Sequence, residues 1–250
     1  MRVVLLLAVG AAVVGCESLR PPAPAPIQPP PVTAPVRVVG RPPATPVEVL
    51  RASATQAPPE DDPLAGVAKC LERDDNLGAA GHLERYVCRY PDQPMFRLQL
   101  AELYLRADRA AEAKGHYERF VADAQSGPVT LRPHLVTAHI KLREIAVAAG
   151  DRFGEPFHRG VGLLLLVREQ DGAKDRDEAF CEEMLCKALR ALTEAKQERP
   201  GDPRARVYLA EVHERAGNRH GAAAERAAAR ADVTGGALTA AERRPLLLGE

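Results

Sequence analysis

The stretch LAELYLRADR, residues 100–109, decides the fold, because it returns near the other end of the chain as LAEVHERAGN, residues 209–218. Each copy reaches an Asp or a Gly where a helix would stop, and then runs into an alanine-rich stretch. Small side chains such as Ala101 and Ala210 let two antiparallel helices approach closely, while larger neighbours fill the space beside them. The two copies therefore predict a helical hairpin that the chain uses more than once.

A period of 34 residues extends this pattern beyond the two copies. In the first half of the chain, Ala79, Leu83, Tyr86 and Pro91 are followed 34 positions later by Ala113, Tyr117, Phe120 and Gln125. Toward the other end, Ala188, Leu192, Ala195 and Pro200 are followed at the same spacing by Ala222, Arg226, Ala229 and Thr234. A fixed period of this length is typical of an array of helical repeats.

These residues resemble the tetratricopeptide repeat, whose 34-residue unit is a pair of antiparallel helices, A and B. The shared features are a small residue in each helix, an aromatic residue beside it and a closing proline, seen here at Ala101, Tyr104, Ala113, Tyr117 and Pro91, and again at Ala210, Ala222 and Pro200. The resemblance implies an all-α solenoid of helical hairpins over residues 64–233. Its motifs are clear at 76–125 and 186–231, whereas 151–177 fit no clean unit.

The helical periodicity and its Gly and Pro breaks predict nine helices. They lie at roughly 64–73, 76–89, 94–106, 109–124, 132–149, 156–170, 177–198, 203–216 and 219–231, with residues 234–250 as a C-terminal tail. Nine helices cannot all form pairs.

The resemblance also implies where a partner would bind, because the inner face of such a solenoid is lined by helix A and usually holds a peptide. The groove-facing positions correspond here to Met95, Leu98, Glu102, Leu105 and Arg106 in one repeat, and to Arg204, Val207, Glu211, Glu214 and Arg215 in the other. The first set mixes apolar and charged groups, as an interface does. The second set is mostly charged, so a solvated face is an equally good interpretation.

The N-terminus predicts export and lipid attachment. Residues 1–15 have a charged start and an apolar run too short to span a bilayer, which is typical of a signal peptide. Its end, Val13-Val14-Gly15-Cys16, resembles the lipobox of bacterial lipoproteins, in which the cysteine is lipidated and becomes the new N-terminus. Glu17 follows in place of aspartate, and by the same resemblance this favours the outer membrane, facing the periplasm. The alternative is that Cys16 is an ordinary apolar residue of an uncut signal.

Residues 16–63 form the lipidated N-terminus and a proline-rich linker. Proline removes the donors that helices and sheets need and favours extended polyproline II, so the linker reaches at most about 130 Å. It is interpreted first as a passive spacer, and otherwise as a ligand of proline-binding modules or a segment that threads the peptidoglycan.

Composition and motifs disfavour several classes of function. The chain carries 34 basic and 34 acidic residues, so it has no strong field for nucleic acid. It contains no nucleophile elbow, phosphate loop or dinucleotide fingerprint, which leaves an enzymatic interpretation without a starting residue. We expect no enzyme activity, no cofactor, no metal and no small-molecule substrate. Paired acids such as Asp61-Asp62 and Asp74-Asp75 are explained by helix capping.

The histidines and cysteines also lack a functional pattern. His213 is not followed four residues later by a second histidine, and it occupies the aromatic position filled by Tyr104 in the sister repeat, which favours packing. His134 and His139 project to different faces of a helix. Beyond Cys16, we expect Cys70, Cys88, Cys181 and Cys186 to be buried free thiols, because Cys181 and Cys186 on a continuous helix would face apart.

The sequence thus favours a membrane-anchored scaffold or assembly factor whose partners are other envelope proteins bound in the repeat groove. Lipid-anchored repeat proteins of this size resemble the pilotins of secretin rings and accessory subunits of motility or cell-wall machines. Two alternatives stay open: a peptidoglycan hydrolase or regulator of cell-wall enzymes, and a passive structural tether.

Overall fold

The computed structural model describes residues 62–171, 173–232 and 238–247, and this part of the chain consists of helices and their connections with no strand. The predicted signal peptide, Cys16 and nearly all of the predicted proline-rich linker lie outside the described residues. The helices are α1 Pro63–Leu71, α2 Asn76–Arg89, α3 Pro94–Arg106, α4 Ala110–Ser126, α5 Arg132–Ala149, α6 Gly154–Glu169, α7 Glu178–Glu198, α8 Pro203–Arg215, α9 Arg219–Ala231 and α10 Ala240–Leu247, with a 3-10 turn at Val129–Leu131 before α5. None of these helices is long and apolar enough to span a membrane.

From α1 to α9 each helix packs against the one before it and the one after it, which is the contact pattern of a solenoid. The all-α, tetratricopeptide-like solenoid that the repeat predicts is therefore confirmed. The nine predicted helices match α1 to α9 with boundaries within two residues. The tenth helix, α10, begins inside the stretch that we expected to be a tail.

Four hairpins close through the same kind of turn. Each turn has one residue in the left-handed region, and these residues are Asp74, Asp108, Gly150 and Gly217, with φ of 55°, 57°, 65° and 75°. In three of the turns the next residue caps the following helix: Asp75, Asp151 and Asn218 accept hydrogen bonds from backbone N–H groups of α2, α6 and α9. The turns join α1 to α2, α3 to α4, α5 to α6 and α8 to α9. Asp108 and Gly217 are the aligned residues of the two sequence copies, so both copies form the same kind of hairpin turn.

Helix α7 is the extra element of the nine. It follows α6 through residues 170–177 instead of a hairpin turn, and it precedes α8 through the proline turn that separates repeats. Because one helix is inserted, α8 falls in the same layer as α6 and contacts it directly. It also approaches α4, since the side-chain amide Nε2 of Gln125 donates a hydrogen bond of 2.7 Å to the Tyr208 hydroxyl.

Small residues form the closest helix contacts, as the repeat predicts. The alanines at the repeat positions are no more than 2% exposed: Ala79, Ala101, Ala113, Ala188, Ala210 and Ala222. At Gly160 of α6, an added Cβ would lie only 2.6 Å from Cγ of Leu192 on α7. The Leu192 side chain therefore packs directly against the α6 backbone. Tyr117, Phe120, Leu83 and Leu192 fill the space beside the small residues and are fully buried.

The four cysteines beyond Cys16 are free thiols, but the expectation that they are buried is wrong for most of them. Cys181 is buried, Cys70 is half-buried, and Cys88 and Cys186 are exposed. Cys181 and Cys186 both lie on the continuous helix α7, where a five-residue separation turns one thiol toward the core and the other toward solvent.

Candidate functional site

Glu102 and Arg106 of α3 lie near enough to Lys141 and Glu144 of α5 for these charges to act on one another or on Tyr117 between them. We call these four residues, together with exposed Ile140 and Val147 of α5, the α3–α5 face. Glu102 is half-buried, and no hydrogen bond or ion pair joins its carboxylate to another described residue. Burial raises the pKa of its carboxyl group, although Arg106 and Lys141 act in the opposite direction. A desolvated carboxylate without a direct donor is poised to accept one from a partner.

Tyr117 of α4 lies beneath this face. Its side chain is fully buried, and its hydroxyl has no hydrogen-bond partner among the described residues. Burial raises the pKa of the phenol, and the carboxylates of Glu102 and Glu144 raise it further. The phenol is therefore neutral at physiological pH and contributes bulk beneath Glu102.

Helix α5 adds apolar groups that the sequence analysis did not assign to the site. Ile140 and Val147 are 49% and 59% exposed, and their spacing of seven residues places them on one side of the helix. Between them Lys141 Nζ forms an ion pair of 2.8 Å with Glu144. The α3–α5 face thus combines exposed apolar side chains with charges of both signs, as protein interfaces do.

The other three predicted groove residues of α3 are less accessible. Leu98 is 1% exposed and belongs to the core, while Met95 and Leu105 are half-buried against it. These three residues therefore contribute to core packing more than to an exposed surface.

The predicted groove residues of α8 are engaged in contacts within the chain. Glu211 accepts hydrogen bonds from Arg168 of α6, at 2.7 Å, and from Arg215, at 3.0 Å. Burial raises the pKa of Glu211, but the two guanidinium groups outweigh it and the net shift is downward. Glu214 pairs with Arg226 of α9. Most of this set therefore links helices of the solenoid.

Arg204 and Val207 complete the α8 set. Arg204 pairs with Asp202 at 2.6 Å and lies over the rings of Phe153 and Phe157. Val207 is 7% exposed and packs against Leu238 and Leu246 of the C-terminal segment. Since the inserted α7 places α8 in the layer of α4 and α6, the two predicted sets do not share one face.

A buried histidine pair joins α5 to α6, and sequence reasoning missed it. Nδ1 of His139 and Nδ1 of His158 are 3.2 Å apart, and the two residues are 2% and 8% exposed. Burial, with nearby Arg168, lowers the pKa of His139 to about 3. Burial, His139 and the cations Arg204 and Lys114 hold the pKa of His158 well below its ordinary value. Both rings are therefore neutral at physiological pH, with one Nδ1 donating and the other accepting.

The signal for this pair was present in the sequence. His139 lies four residues after Leu135 and three before Leu142, which places it on the apolar stripe of α5. His213, for which the sequence favoured a packing role, is half-buried, with Nδ1 at 3.3 Å from Asn218 Nδ2. No group of three or more metal-ligating side chains is found among the described residues. A cavity of about 530 Å³ is formed by α1 and α2, apart from the α3–α5 face.

No protein-family model matches the sequence, and no curated protein matches it. Among solved structures, two crystal structures of MamA are similar to part of the chain. One is 17% identical, with a TM-score of 0.35, and the match covers 66% of this chain and 93% of MamA. The other is 16% identical, with a TM-score of 0.36 and coverages of 68% and 89%. At such TM-scores the fold rests on the helix contacts described above.

Proposed function

We propose that this protein is a lipid-anchored scaffold of the bacterial envelope that binds another envelope protein on the α3–α5 face. The observation that carries the proposal is Glu102, a half-buried carboxylate with no direct partner among the described residues, near the cations Arg106 and Lys141. Helix α5, which carries Lys141, also exposes Ile140 and Val147. The partner segment that fits this face offers a positively charged group or a free backbone N–H to Glu102 and an apolar surface to α5.

The lipobox-like residues Val13 to Cys16 support the proposed anchor. A lipid on Cys16 would hold the protein at the membrane, because each buried methylene contributes about 0.8 kcal/mol and two or three chains act together. The proline-rich linker would then carry the solenoid away from the lipid by up to about 130 Å. This reach suits a partner in or near the peptidoglycan. Such a partner would be the periplasmic part of a secretin, pilus, motility or cell-wall complex at the outer membrane.

Replacing Glu102 with arginine and Arg106 with glutamate together is expected to abolish capture of the partner, because the two charges that α3 contributes to the face are reversed. The measurement is affinity capture from envelopes with the full chain, followed by quantitative mass spectrometry.

A matched control is the double reversal of Glu183 and Lys187, an exposed pair on α7 with the same four-residue spacing. The control should capture the same protein as the wild type. If every captured protein is retained by the Glu102/Arg106 variant, the face is not the binding site.

Replacing Cys16 with alanine is expected to prevent lipid attachment, because the thiol is the acceptor of the lipid. In a Gram-negative host fed labelled palmitate, the wild type and a Cys88→Ala variant should incorporate label and Cys16→Ala should not. Label on the Cys16→Ala protein, or none on the wild type, would rule out this anchor.

A further inference from the structure

The C-terminal helix α10 lies on a surface formed by α4, α8 and α9. Leu238 and Leu246, at the two ends of the segment, pack against Val207 and Ala229. These four residues form a cluster separate from the main core, which runs from Val67 to Val212. The segment therefore adds its own small apolar contact and does not complete the core of the solenoid.

A chain of hydrogen bonds connects the segment to α4 and α8. The Tyr208 hydroxyl donates to Glu242 Oε1 at 3.1 Å, and Gln125 Nε2 donates to the same hydroxyl at 2.7 Å. Thr239 Oγ1 donates to Gln125 Oε1 at 3.0 Å. Tyr208 and Glu242 are 4% and 7% exposed, so this contact is shielded from water and sensitive to the loss of a single partner.

The segment closes its own first turn. The Thr239 backbone N–H donates to Glu242 Oε2 at 2.8 Å, and the Glu242 backbone N–H donates to Thr239 Oγ1 at 3.2 Å. This is a capping box, in which two residues three apart satisfy each other's backbone donors. At the other end, Arg230 Nε donates to the carbonyl oxygen of Leu246 at 2.7 Å. The surface thus contacts both ends of a short helix.

The wall of this surface is positioned by the solenoid itself. Tyr208 packs edge-on against Phe157 of α6, with ring centroids 5.7 Å apart, and is held by Gln125 of α4. Val207 and Ala229 lie on α8 and α9, which are fixed to each other by their hairpin. Tyr208 and the helices that carry Val207 and Ala229 are therefore already placed by contacts that do not involve α10.

We propose that the α4–α8–α9 surface, formed by Gln125, Val207, Tyr208, Ala229 and Arg230, is a recognition site for a short self-capped helix, and that residues 238–247 occupy it within the chain. A partner protein that fits the site carries the pattern Leu-Thr/Ser-x-x-Glu-x-x-x-Leu, which residues 238–246 display. This site is separate from the α3–α5 face and does not depend on it. A partner helix must compete with the attached segment, whose effective concentration is on the order of millimolar.

The test is binding of a fluorescein-labelled peptide of residues 237–250 to the full chain, followed by fluorescence anisotropy. Leu246→Asp places a charge in the apolar contact and should release the segment, so this variant is expected to bind the peptide at least tenfold more tightly than the wild type. The matched control is Leu247→Asp, because Leu247 is 78% exposed and its replacement should leave the site occupied. Adding Tyr208→Phe to Leu246→Asp, or Glu242→Gln to the peptide, should weaken binding about tenfold.

Circular dichroism of Leu246→Asp shows whether residues 238–247 are a docked segment or a part that the solenoid needs in order to fold. The inference predicts that the variant keeps the helical signal of the wild type apart from α10. It is overturned if the variant loses the fold of the solenoid, if the folded variant does not bind the peptide, or if wild type and variant bind it equally. Glu242→Gln in the full chain gives a milder release, and failure of both folded variants to bind the peptide also overturns the inference. None of these outcomes bears on the Glu102/Arg106 test.

Discussion

Replacing Gly160 with alanine is expected to destabilise the protein by about 1–3 kcal/mol, the usual range for an overpacked core. The new Cβ would lie 2.6 Å from Cγ of Leu192 and 3.3 Å from its backbone nitrogen. Leu192 is fully buried, and its Cγ lies close to the α7 backbone, so neither atom can move aside without shifting the helix. The gain in helix propensity from glycine to alanine is about 1 kcal/mol and should not compensate. Unfolding by denaturant, followed by circular dichroism, measures the effect.

The control is the same substitution at Gly115 of α4. A Cβ there meets nothing within 4 Å, so Gly115→Ala should stabilise the protein by about 0.5–1 kcal/mol through propensity alone. The two substitutions are chemically identical and should have opposite signs. Stabilisation by both would show that α6 and α7 are not in close contact at Gly160.

Acidification from pH 7 to pH 5 is expected to destabilise the fold by up to about 4 kcal/mol through His139 and His158. Their pKa values are lowered in the folded protein, so the unfolded chain binds protons below about pH 6.5 while the folded rings stay neutral. Above that pH the two rings do not make the free energy of unfolding depend on pH. Below it, the free energy of unfolding declines by about 1.4 kcal/mol per pH unit for each ring. The decline ends only near the folded pKa of His139, about 3.

Three proteins separate this effect from general acid sensitivity. The free energy of unfolding should fall steeply between pH 7 and pH 5 for the wild type and for His220→Gln, because His220 is exposed. The double variant His139→Gln/His158→Gln should be less stable at pH 7 but should have a much flatter pH profile. Equal slopes in all three proteins would mean that the buried pair is not neutral in the fold.

The fold was largely predictable because its signals are local. The 34-residue period places small residues where helices touch, and these alanines are buried as expected. The hairpin turn is also readable, since Asp108 and Gly217 align in the two copies and both adopt left-handed backbone. Helix α10 was missed although Thr239 and Glu242 have the spacing of a capping box, because the preceding repeat pattern ends before it.

The layer that each helix occupies was not predictable from the repeats alone. It depends on the extra helix α7, and residues 151–177, which precede α7, fit no clean repeat unit. The predicted groove residues of α3 and α8 were therefore assigned to one wall although they lie in different layers. Lys141 was missed for a related reason, since it lies on another helix and only the fold brings it near Glu102.

The proposed scaffold function has a direct structural test at Ile140. A photo-crosslinking amino acid replaces Ile140 in the full chain, because this side chain is exposed and next to Lys141 on the α3–α5 face. The control position is Leu77 of α2, which is apolar and equally exposed, at 50% against 49%. Irradiation of intact envelopes should give a covalent adduct of one defined mass at position 140, absent at position 77 and lost when Glu102 is replaced by arginine. Absence of an adduct at position 140, or the same adduct from both positions, would contradict the proposal that this face binds the partner.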